Sequence, residues 1–219
     1  MDDLNVIASR YVLGFLRPEE MVQLADQALN EDHCSPKAAD LAELRRERHP
    51  SSADVVPLFL AWLSDRGVEL PDVTDATWRL LTHHIEGIVH GRVPPLEGLL
   101  SVDDTLYYSA LPNGRSKDVE RRFGVTALCA AYSTMEDLED APAHVPIRGK
   151  VGTEAMAELA SYVSEVAKIW WKTYGPSPVL ALDSLEAQSL LSTTGINNGL
   201  QSCRTREKDL PDDLKQSRG

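Results

Sequence analysis

Apolar residues in this chain recur at spacings of three and four, and each such run is bounded by a proline, a glycine or a capping side chain. Leu4, Ile7, Ala8, Tyr11 and Val12 share one helical face, and Gly14 closes that run. Arg17-Pro18-Glu19-Glu20 opens a second helix, because proline suits the first helical position and early acids complement the positive end of the helix dipole. Met21, Leu24, Ala25, Ala28 and Leu29 give that helix its apolar face. Ser35-Pro36 repeats the device as an N-cap followed by proline, and Ala38, Leu41, Ala42 and Leu44 lead into the charged end Arg45-Arg46-Glu47-Arg48.

The same grammar continues downstream. Asp54 is the expected cap of a helix carrying Leu58, Phe59, Trp62 and Leu63, with Pro57 in its first turn and Gly67 at its end. Thr74 or Asp75 starts a fifth helix through Trp78, Leu81, Ile85, Ile88 and Val89 to Gly91, and Pro94-Pro95 forces a corner. Leu96 to Tyr107 forms a sixth helix that stops before Pro112-Asn113-Gly114. Val119 to Tyr132 is helical, weakened at Gly124. Ser133-Thr134-Met135-Glu136 has capping-box spacing, which puts Glu136 to Asp140 in a new first turn cut short by Pro142. The longest helix is expected from about Thr153 to Tyr174, and a short one from Asp183 to Leu191.

No segment shows the period-two alternation of a half-buried strand, apart from room for short parallel strands near Val145 to Val151, and no repeat recurs at a fixed period. The expected fold is therefore all-α, an irregular multi-helix array with a long C-terminal helix. At 219 residues the chain can bury a core as one domain, expected over residues 1–193. The Pro/Gly-containing segment 141–152 marks a subdomain junction or a mobile connection. Residues 194–219 are polar and read as a disordered tail.

The formal net charge of -12 opposes binding that neutralises nucleic-acid phosphates, so a basic protein partner fits better than DNA or RNA. Cys34, Cys129 and Cys203 are far apart and lack C-x-x-C spacing, which points to a reducing compartment. The first 20 residues carry charges throughout, with no apolar signal core, and no stretch reaches the ~18 apolar residues of a membrane helix. A cytoplasmic protein that neither enters nor crosses a membrane is expected; the sequence sets no oligomeric state.

The best metal-ligand candidates are His83, Glu86 and His90, which fall within about 60° of one another around a helix. By the same arithmetic they point roughly 120–140° away from the apolar face of Trp78, Leu81, Ile85, Ile88 and Val89, so water is their expected environment. His84-Ile85-Glu86 has the H-x-E spacing of zinc deaminases, but the P-C-x-x-C that completes that site is absent. H-E-x-x-H, P-loop, G-x-G-x-x-G and G-x-S-x-G motifs are absent too. No cofactor is called for.

Two acidic clusters remain, Asp103-Asp104 and Glu136-Asp137-Leu138-Glu139-Asp140. They suit capping, a hard cation held between facing helices, or a basic partner, and charge complementarity to a partner demands no shaped cavity. Trp62, Trp78 and Trp170 lie on apolar faces and are expected in the core; Trp171 lies at the edge of its stripe and suits a partner anchor.

Two stretches carry a resemblance. Residues 11–26, Tyr-Val-Leu-Gly-Phe-Leu-Arg-Pro-Glu-Glu-Met-Val-Gln-Leu-Ala-Asp, and residues 88–98, Ile-Val-His-Gly-Arg-Val-Pro-Pro-Leu-Glu-Gly, resemble patterns in small helical bacterial proteins. These include uncharacterised families and immunity proteins of polymorphic toxin systems. The resemblance implies a cytoplasmic, non-enzymatic protein that neutralises a toxin domain by protein–protein contact, and a basic toxin would suit its acidity. It assigns no functional residue. The residues themselves nominate Glu136, Asp137, Glu139, Asp140 and Trp171 as the partner surface. The alternative is a metal-dependent hydrolase built on His83, Glu86 and His90 or on an acidic cluster.

Overall fold

The computed structural model describes residues 3–30, 35–46, 49–108 and 117–175. Among them are α1 (Leu4–Val12), α2 (Pro18–Asn30), α3 (Pro36–Glu43), α4 (Ser52–Asp65), α5 (Val73–Val89), α6 (Pro95–Tyr108), α7 (Lys117–Arg122), α8 (Thr126–Asp140) and α9 (Gly152–Tyr174). A short 3-10 turn, Leu44–Arg46, follows α3. The fold is all-α, with α9 the long C-terminal helix; the helix expected at 183–191 and the tail expected at 194–219 lie outside the described residues.

Helix ends follow the sequence punctuation closely. Asp3 and Ser35 cap α1 and α3 by accepting from the backbone N–H groups of Asn5 and Lys37. Four helices, α1, α4, α5 and α7, close in one way, with the glycine N–H bonded three residues back and the next N–H five residues back, as in Gly67→Ser64 and Val68→Leu63.

Three expected boundaries move. Ser51, not Asp54, caps α4, its Oγ accepting from the Ala53 N–H at 3.1 Å. Pro57 therefore falls in the sixth helical position, past the first turn, where it forgoes a backbone bond on an exposed face. Asp72 caps α5, accepting from the Asp75 N–H at 2.9 Å, so the helix starts ahead of Thr74. Gly124, at φ +67°, stops α7 outright instead of weakening one continuous helix.

Contacts gather the chain into two compact units, Met1–His83 with Asp104–Arg115, and His84–Asp103 with Ser116–Gly219. In the first unit α2, α3 and α4 pack together around Ile7, Met21, Leu41, Phe59, Trp62 and Leu63. Tyr11, Phe59 and Trp62 form an aromatic run, with centroids 5.4 Å apart for Tyr11–Phe59 and 5.9 Å for Phe59–Trp62. A smaller cluster joins Val6 and Leu13 to Ala76 and Leu80. Each large apolar side chain removed from water here contributes about 1.5–3 kcal/mol.

In the second unit α8 packs along α9. Leu128, Ala131, Met135 and Leu138 of α8 and Leu159, Val163, Val166, Ala167 and Trp170 of α9 are buried. The turn from α5 into α6 is held by a close approach: a Cβ on Gly98 would lie 2.4 Å from Cγ1 of Ile88. Trp62, Trp78 and Trp170 are all buried, as their places on apolar faces predict.

Candidate functional site

α8 begins after the glycine stop at Gly124 and carries apolar residues at Leu128, Ala131, Met135 and Leu138. That spacing of three, four and three keeps one face inward along the whole helix. The helix therefore runs straight through Ser133. The capping-box reading of Ser133 to Glu136 is corrected: Ser133 is interior, and the acidic run occupies the last turn of α8, not the first turn of a new helix. Burial of the apolar stripe outweighs the local preference of serine for a cap.

With Met135 and Leu138 turned inward, Glu136, Asp137, Glu139 and Asp140 are all exposed. Three like-charge pairs result, Glu136–Glu139 and Asp137–Asp140 three residues apart and Glu136–Asp140 four apart, each unfavourable on a helix surface. The C-terminal turn is also the negative end of the helix dipole, and no basic residue stands in it.

Among the described residues, none of the four carboxylates has an ion-pair partner. Carboxylates elsewhere do: Glu20 meets Arg10 at 3.2 Å, Asp26 meets Arg45, and Glu86 meets Arg92 at 2.7 Å.

The segment following α8, where the sequence suggests a junction or mobile connection, lies within the second unit and is tied down at several points. The Gly152 N–H donates to the Pro142 carbonyl at 2.8 Å, and Ile147 and Lys150 exchange two 2.9 Å backbone bonds across an Arg148-Gly149 turn. This isolated antiparallel bridge stands where short parallel strands had room. Arg148 and Gly149 both adopt positive φ, +48° and +79°. Glu158 of α9 accepts from Arg148 Nη1 at 2.6 Å and from Lys150 Nζ at 2.9 Å. Hydrogen bonds from Lys150 and then Arg148 hold the Glu158 carboxyl below the usual carboxylate range, and the Glu158 bond raises Lys150. Burial pushes the neighbouring Tyr162 phenol up, partly opposed by the Arg148 charge.

Trp171 is half-buried, and its aromatic neighbour is His90 of α5, with ring centroids 6.1 Å apart at 78°. Eighty-one positions separate them in sequence, so no local pattern could have joined a partner-anchor candidate to a metal-ligand candidate.

His83 and Glu86 are half-buried on α5 and His90 is exposed at its end. His90 Nε2 stands 4.0 Å from Glu86, whose other oxygen is engaged by Arg92. Asp103 is buried on α6 while Asp104 is exposed, so that pair faces two environments. Among the described residues no group of three His, Cys, Asp or Glu is placed to share a metal ion. None of their helices is long and apolar enough to cross a membrane.

No protein-family model, curated protein or solved structure matches the chain.

Proposed function

We propose that this chain is a non-enzymatic binding protein whose acidic end of α8, Glu136, Asp137, Glu139 and Asp140, receives a basic surface of a protein partner in the cytoplasm. The observation that carries the reading is the uncompensated charge there. Four exposed carboxylates without a described cation partner stand at the negative end of a helix dipole. Each local rule of helix electrostatics is broken in the same direction, and a place where local consistency fails without compensation is where function is expected. A basic partner would relieve the repulsion that the free protein carries. The net charge of -12 favours the same class of partner by long-range steering.

Neutralisation of a basic toxin domain by direct contact is the form of this function that the resemblance of residues 11–26 and 88–98 suggests. Trp171, half-buried in the last turn of α9, lies toward the start of α8, where Trp170 meets Phe123, and is proposed as an aromatic contact separate from the acidic end of α8.

The test is association of the purified protein with the partner encoded by the adjacent gene or recovered from the native cytoplasm. Binding of the wild type and of E136Q/D137N/E139Q/D140N is followed at low and at physiological salt. The variant should associate about tenfold or more slowly at low salt and show a weaker salt dependence, because charges at an interface rim act mainly on encounter. Trp171→Ala should instead speed dissociation and cost about 2 kcal/mol or more. Equal association of variant and wild type at both salts would remove the α8 end from the interface.

A further inference from the structure

No further inference is drawn: the strongest candidate, the side-chain cluster of Arg148, Lys150, Glu158 and Tyr162 where the turn after α8 meets α9, has both cations held by Glu158, and the Tyr162 hydroxyl, its one buried polar atom without a partner, is closed to any ligand arriving from solvent.

Discussion

The indole nitrogen of Trp170 donates a 2.9 Å hydrogen bond to the main-chain carbonyl of Phe123. Phe123 stands between the end of α7 at Arg122 and Gly124, whose left-handed backbone stops the helix. Trp170 and Phe123 are both buried, which makes the Phe123 carbonyl costly to leave unpaired. The long helix α9 is thus tied to the end of α7, and Tyr174, one turn further along α9, sits where a side chain at position 124 would go. A Cβ on Gly124 would lie 2.7 Å from the Tyr174 ring.

Two tryptophans buried to the same degree should therefore respond differently to loss of the indole N–H. Trp62 and Trp170 are each 1% exposed, but the Trp62 Nε1 has no hydrogen-bond partner among the described residues. Trp170→Phe removes the indole donor of the buried bond to the Phe123 carbonyl, an added cost of about 0.5–1.5 kcal/mol beyond the lost volume. Trp62→Phe loses volume while removing a polar group that was already unpaired. Urea denaturation of the two variants should show Trp170→Phe as the more destabilised; equal midpoints would mean that the bond contributes nothing.

The approach of Gly98 to Ile88 predicts a change of sign. Gly98→Ala places a methyl 2.4 Å from Cγ1 and 2.8 Å from Cδ1 of Ile88, inside any tolerable contact. Overpacking of this kind costs about 1–3 kcal/mol. In an Ile88→Ala background the obstruction is gone, and the same substitution should gain about 0.5–1 kcal/mol from the better helix propensity of alanine. Thermal melts of the four proteins in this cycle test the idea, and a Gly98→Ala effect independent of residue 88 would defeat it.

The sequence made helix starts and stops legible where a single side chain or backbone conformation decides them. Ser35-Pro36 and Gly67 needed no tertiary information. It misled where two local signals compete. Ser133 and Glu136 have capping-box spacing, yet Leu128, Ala131, Met135 and Leu138 run through them, and the buried stripe prevails. Gly124 looked like a weak point because periodicity resumes beyond it, but its left-handed backbone and the Tyr174 ring leave a stop as the only fit. The candidate residues of α8 were legible by composition; that they lie at the wrong end of a helix for their charge was not. The neighbours of Glu158 and Trp171 come from packing between distant segments, which local patterns do not encode.

Glu158 should make part of the stability depend on pH. Its carboxyl is held below the usual range in the folded protein, so its contribution is full above the unfolded value of about 4.3 and is lost as pH falls through the folded value. Lys150 is raised, so its contribution is full below about 10.4 and is lost as pH rises through its folded value. Glu158→Gln should accordingly lower the urea midpoint at pH 7, and the difference from wild type should shrink steadily on acidification below pH 4. A gap between the two proteins that stays constant from pH 7 to pH 2 would show that the ion pairs with Arg148 and Lys150 are not its source.

Neutralising the acidic end of α8 should stabilise the isolated protein even as it impairs binding. Glu136, Asp137, Glu139 and Asp140 are exposed and lack described cation partners, so E136Q/D137N/E139Q/D140N gives up no ion pair. What it removes is three like-charge contacts and the repulsion between carboxylates and the last carbonyls of the helix, together on the order of 1 kcal/mol at low salt. Added salt screens the same repulsion, so the advantage of the variant should fall as ionic strength rises through about 0.5 M. Melting temperatures of the two proteins across a salt series, without any partner, provide the measurement. If the carboxylates were serving the fold, for instance as caps, the variant would melt lower at every salt concentration. A higher melting temperature combined with slower association would instead mark these four residues as kept at a cost to stability, as expected of a surface that serves a partner.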